Sequence, residues 1–274
     1  MNFLCDTFLR TYTHIRVNLS TTGGYLSYKV VFILNFMSCY FIMKLVSWWV
    51  TPAYGRRSFK EVFFHPYLSL STLRHTNLSL PSSSFKRLGI FGILLISWLY
   101  LSYTYLLPLN YWKTLLIAPA VYFLTEAMGA TGEVFYLWSG PGKFQIHNFP
   151  LSSKSLSHFW GRRWNRWVQD WLKDLSRCFI QSTPPQRMII TFIISGLFHE
   201  IMINLPYWII FKKSYFGTMM AYFLIQAVGI WLDKSYFKRQ HSYLRRIFLW
   251  IMVVGPSPLF INRPLLTFLG LNYE

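Results

Sequence analysis

The chain has 274 residues, is 53% hydrophobic and 20% aromatic, and carries only 13% charged residues, against about 25% in ordinary soluble domains. That is too little charge to cover a water-facing surface, which argues against a soluble globular enzyme and for an all-α, polytopic transmembrane protein. The formal net charge of +18 reflects a shortage of acids, nine Asp plus Glu against 27 Lys plus Arg; basic loops beside anionic lipid headgroups account for it without nucleic acid.

In chain order, residues 1–27 are mixed, with TTGGY reading as a turn. The start, MNFLCDTFLR, lacks the apolar core and small-residue cleavage site of a secretory signal. Cys5, Cys39 and Cys178 are too dispersed for a zinc site or a disulfide framework. Residues 28–50 form the first predicted span, with Lys44 close enough to one end to snorkel. Residues 51–86 read as a loop in which PSSS is a flexible turn. Spans follow at 88–107 and 113–130. Glu126 in the second is read as lying near a helix end, because an unpaired carboxylate is costly in hydrocarbon. Residues 131–187 are the longest polar region, a loop whose lysines and arginines place it on the cytoplasmic side. Spans resume at 188–210, 217–232 and 244–262, the last broken by GPSP. The expectation is about six spans in a single membrane domain covering 1–274, with no internal repeat.

The most unusual stretch is FWGRRWNRWVQDWLKD at 159–174. Trp160, Trp164, Trp167 and Trp171 recur at helical spacing and Leu175 extends the stripe, while Arg162, Arg166, Gln169 and Lys173 point the other way. Ser157 is placed to cap its start. This predicts an amphipathic interfacial helix at the membrane surface. Asn165 falls towards its polar flank, as an ordinary surface residue or a functional one. The arginine forks match phosphate oxygens of a lipid or of a ligand.

The second signal is His199–Glu200 in the middle of the apolar run IITFIISGLFHEIMINLPYWII. Ionisable groups at such depth point to function. A neutral histidine can act as a base, or it can simply join two helices by hydrogen bonds. Ser195 shares its helix face. Ile203 stands where a zinc protease needs its second histidine, and no G-x-S-x-G elbow, dinucleotide fingerprint or P-loop occurs.

Together, SLSHFWGRRWNRWV at Ser155–Val168 and SGLFHE at Ser195–Glu200 resemble the membrane-bound O-acyltransferase superfamily, and look most like its plant and fungal wax-synthase-like branch. The likeness is strongest from about 120 to 210. It implies acyl transfer from acyl-CoA to the hydroxyl of a hydrophobic alcohol (a fatty alcohol, a sterol or a terpenoid-like metabolite) in the endoplasmic reticulum membrane. It makes His199 the catalytic base and Asn165 the second polar catalytic position, where wax-synthase-like relatives often carry histidine and sterol or diacylglycerol acyltransferases asparagine. Arg162, Arg163, Arg166 and Trp164 become candidates for binding acyl-CoA, a co-substrate, with no metal or other cofactor required. Family members are usually longer, with about eight spans, so the resemblance implies a compact or incomplete member. Two other classes stay open: a non-catalytic lipid-binding or scaffold protein, marked by no cavity reaching His199, and a secondary transporter, marked by His199 and Glu126 lining one path.

Overall fold

The computed structural model describes residues 21–50, 81–106, 110–137, 146–179, 183–237, 239 and 241–271, and their regular structure is entirely helical. Four segments carry most of the apolar length: α1 (Thr21–Val50), α2 (Pro81–Leu101), α4 (Ala118–Leu137, preceded by a short α3 at Tyr111–Leu115) and α7 (Pro184–His199). α2 is prolonged by a π-turn at Ser102–Leu106, and α7 by a π-turn at Glu200–Asn204 followed by α8 (Leu205–Phe211). Leu26–Trp49, Ser84–Leu106, Tyr111–Gly132 and Pro184–Phe211 are long and apolar enough to cross a membrane. Leu26, Ile33, Met37, Ile42 and Trp49 on α1, and Ile90, Ile93, Ile96 and Tyr100 on α2, are exposed, as helices facing lipid require.

Between α4 and α7 lie a one-turn α5 (Leu156–His158), a π-turn at Phe159–Arg163 and α6 (Arg166–Phe179). The chain ends in α9 (Thr218–Ser235), α10 (Ser242–Val254), α11 (Ser257–Phe260) and α12 (Arg263–Phe268). α9 and α10 stand where two further spans are expected. The 13 residues of α10 reach only about 20 Å, and Gly255–Pro256 ends it, as the GPSP motif predicts.

Four expectations change. TTGGY forms the first turn of α1 rather than a separate turn, continuous with a helix anchored by the buried Tyr28, whose hydroxyl donates to the Pro264 carbonyl. PSSS opens α2, since proline is pre-organised for the first turn of a helix; residues 51–80 lie outside the described structure. Glu126 sits inside α4, not near its end, buried and paired with Arg87 on α2 at 2.7 Å. That pairing is what lets a carboxylate occupy an apolar helix. Finally, the described residues of 131–187 are largely helical rather than a loop.

The helix ends form two faces. On the first meet the end of α1 (Trp171 Nε1 donates to Ser47 Oγ), the start of α2, the end of α4, α5, α6, the start of α7 and the end of α9 (Ser157 donates to Asp233). On the second meet the start of α1, α3, the end of α8, α11 and α12, tied by Tyr28–Phe211 ring contact and by Tyr111 donating to the Gly255 carbonyl. Lys86, Arg87, Lys154, Arg162, Arg163, Arg166, Lys173, Arg187, Lys234, Arg245 and Arg246 crowd the first face, whereas the second holds Lys29, Lys113, Lys212, Lys213 and Arg263.

Candidate active site

The tryptophan-rich stretch is not one helix. The π-turn at Phe159–Arg163 closes with Trp164 N–H donating to the Phe159 carbonyl; Trp164 is then extended, and Asn165 adopts a left-handed φ of 38° before α6 begins. The break splits the stripe. Trp160 and Trp164 pack against α9 and α10, with Trp160 Nε1 donating to Gln226. Trp167 and Trp171 pack against α1, Trp167 stacking on Tyr40. The amphipathic helix therefore buries its aromatic face in protein rather than in lipid. Ser155, not Ser157, caps α5; Ser157 donates instead to Asp233, itself paired with Arg245.

Asn165 has two structural jobs. Its side-chain oxygen accepts the Val168 N–H at 3.3 Å, capping α6, and asparagine tolerates the left-handed region better than most residues. Because a backbone N–H can only donate, the accepting atom is Oδ1. Nδ2 is left as a donor, and among the described residues nothing accepts from it. The Asn165 N–H donates to His147 Nδ1 at 3.0 Å.

His199 ends α7, where the capping box of Thr183 and Gln186, with Pro184 beside it, starts the helix. Its Nδ1 lies 2.7 Å from the Ser195 carbonyl oxygen. A carbonyl only accepts, so Nδ1 carries the proton and Nε2 of the neutral ring keeps its lone pair. Phe223 and Phe260 flank the ring, at 4.7 and 5.3 Å between centroids. Ser195 thus orients His199 through its backbone. Glu200 does not touch the imidazole. Its carboxylate accepts from the N–H groups of Gly217 and Met220 at the start of α9 and from Asn204 Nδ2, the favoured placing for an acid at a helix N-terminus.

A cavity of about 940 Å³ joins these parts. Its lining includes Asn165, Trp164, Ser195 and His199, but not Arg162, Arg163, Arg166 or Glu126. Arg162 is exposed, and Arg163 is engaged with the Asn148 carbonyl at 2.9 Å. The basic residues that do line the cavity are Lys173, Arg187 and Lys234, at its end towards the charged face. The Arg187 Nε is buried and has no partner among the described residues. Elsewhere the walls are aromatic, with Tyr122, Phe159, Trp160, Tyr222, Phe223 and Trp250. Leu116 and Leu151 belong to the same lining yet are 52% and 61% exposed, so the cavity also reaches the protein surface beside each of them.

Residues 145–225 match the family model described as "Membrane bound O-acyl transferase family". Over this segment the chain is similar to that family, and it contains His147, Asn165, Lys173, Arg187 and His199. A search of curated proteins finds no match. Sequence reading misses Lys173 as a cavity residue because helical periodicity points it to a solvated face, and misses Arg187 and Lys234 because they belong to other helices. His147 has no periodic signal; it meets Asn165, 18 residues on, only once the chain folds.

Proposed function

We propose that this protein transfers an acyl group from acyl-CoA to the hydroxyl of a hydrophobic alcohol within the membrane. The observation that carries the reading is that His199 and Asn165, whose Nε2 and Nδ2 have no partner among the described residues, line one largely aromatic cavity. The similarity of residues 145–225 to an acyltransferase family supports the same class.

In this mechanism the alcohol enters beside the exposed Leu116, away from the charged face. The acyl-CoA phosphates stay at the charged end, where Lys173, Arg187 and Lys234 meet them. His199 Nε2 takes the hydroxyl proton as the alcohol oxygen attacks the thioester carbon. The imidazolium formed is held by the Ser195 carbonyl. Asn165 Nδ2 donates to the oxygen that becomes negative in the tetrahedral intermediate. Collapse breaks the carbon–sulfur bond, and the departing thiolate takes the proton back from Nε2, giving ester and free thiol. Arg162 and Arg166 serve lipid or CoA phosphates outside the cavity, and Trp164 forms its wall. The positive-inside rule places the charged face in the cytoplasm, where acyl-CoA is made available. The endoplasmic reticulum and the wax-synthase-like branch are the corresponding finer assignments.

The test is ester formation in microsomes from a host lacking its own neutral-lipid acyltransferases, given labelled acetyl-CoA or palmitoyl-CoA and a panel of fatty alcohols, sterols and terpenoid alcohols. His199→Ala at matched expression is expected to lose about 10²- to 10⁴-fold in turnover. Equal ester from both proteins refutes the mechanism. A fatty-alcohol preference supports the wax-synthase-like assignment, and a sterol or terpenoid preference overturns it.

A further inference from the structure

Among the buried titratable groups that the acyl-transfer mechanism leaves unused is His147. His147 is 1% exposed and lies outside the cavity lining, beneath Trp164 with 4.3 Å between ring centroids. Its Nε2 is 2.9 Å from Thr125 Oγ1 on α4. Its Nδ1 accepts the backbone N–H of Asn165, so Nδ1 is unprotonated and Nε2 carries the ring's hydrogen.

The neighbours of His147 are fastened to the same place. The Arg166 N–H donates to the Ile146 carbonyl at 2.8 Å, the Asn148 N–H donates to the Arg163 carbonyl at 2.9 Å, and Arg163 Nη1 returns to the Asn148 carbonyl at 2.9 Å. These bonds bring the two segments together, and the Asn165 carbonyl accepts the Gln169 N–H at 3.0 Å, but the Asn165 N–H is left to His147. A left-handed φ of 38° in a residue with a Cβ costs about 1 kcal/mol or more and persists only where its surroundings over-determine it.

We infer that His147 is a positioning residue: by accepting the Asn165 N–H while anchored to Thr125, it holds Asn165 in the left-handed turn that presents its carboxamide to the cavity. This rests on the acyltransfer reading for its catalytic consequence, though not for the contact itself. A neutral imidazole suits the task because it offers one acceptor and one donor at fixed spacing, joining α4 to the break before α6. A carboxamide offers the same pair, so asparagine at 147 can replace the acceptor that alanine cannot.

The experiment compares wild type, His147→Ala and His147→Asn in detergent–lipid micelles. Hydrogen exchange is followed over peptides covering 163–168, together with kcat and KM for acyl-CoA. His147→Ala is expected to exchange faster at this segment alone and to lose about 10- to 100-fold in kcat, as a slightly misplaced group does. KM stays within about twofold, as when only transition-state binding is lost. His147→Asn restores most of both. Unchanged exchange or unchanged kcat in His147→Ala overturns the inference. Equal loss in both variants with faster exchange throughout the protein also overturns it, leaving a core-packing role. Wild-type protein without His199-dependent transfer refutes the acyltransfer reading, and the exchange comparison still decides whether His147 holds Asn165.

Discussion

Asn165 shows how one side chain serves structure and chemistry through different atoms. Oδ1 caps α6, and the residue lines the cavity with Nδ2 as its remaining donor. Asn165→Asp keeps the cap and the tolerance of the left-handed region but replaces the donor with a carboxylate. Its thermal unfolding should stay close to wild type while turnover falls by about 10²-fold. Asn165→Ala loses the cap as well, about 1 kcal/mol, and should lower both. Comparing the two by thermal unfolding and ester formation separates the roles. His147 gives a pH prediction. Burial first, and the Arg87 guanidinium second, pull its imidazole from an ordinary 6.5 down to about 3. The unfolded chain therefore binds a proton that the folded chain refuses. The stabilisation is complete above pH 6.5 and is lost as pH falls from 6.5 towards 3, by about 1.4 kcal/mol per unit. Unfolding midpoints measured between pH 7 and 5 should fall less steeply in His147→Asn than in wild type. A parallel decline in both would refute the assignment.

At the scale of elements, π-turns set the site. One ends two residues before Asn165 and another begins immediately after His199. Each inserts a residue into the helical repeat and rotates the chain beyond it, and such bulges recur at functional sites. A 3.6-residue wheel drawn through 159–174 cannot register that shift. It therefore puts the four tryptophans on one face, whereas the fold divides them between α9–α10 and α1. The α7–α9 contact depends on Gly196, where an added Cβ would lie 2.8 Å from Met220 Sδ and 3.1 Å from Met220 Cα. The sulfur can swing away but the backbone cannot. Gly196→Ala should push α9 from α7 and destabilise the protein by about 1–3 kcal/mol, seen as a lower unfolding midpoint in micelles. Because His199 lies between these helices against Phe223, turnover should fall too.

For the whole molecule, the uneven distribution of basic residues predicts orientation. Lys154 and Lys213 are both exposed and belong to opposite faces. In sealed microsomes with the native cysteines replaced, Lys154→Cys should react with an impermeant maleimide without detergent, and Lys213→Cys only after permeabilisation. The reverse pattern would move the charged end of the cavity out of the cytoplasm. Composition and hydropathy by themselves determined that the chain is helical and membrane-bound, because too few charges and long apolar runs leave no other solvent for it. The two motif blocks likewise marked the candidates: His199 because an ionisable group is costly in an apolar run, and Asn165 through the family resemblance of the block that contains it. Only the tertiary structure decided what surrounds them. Arg87 neutralises Glu126, the start of α9 occupies Glu200, His147 reaches Asn165, and Lys173, Arg187 and Lys234 converge at one end of the cavity. Each pairing joins separate segments of the chain, and local periodicity carries no information about which buried polar group will meet which partner.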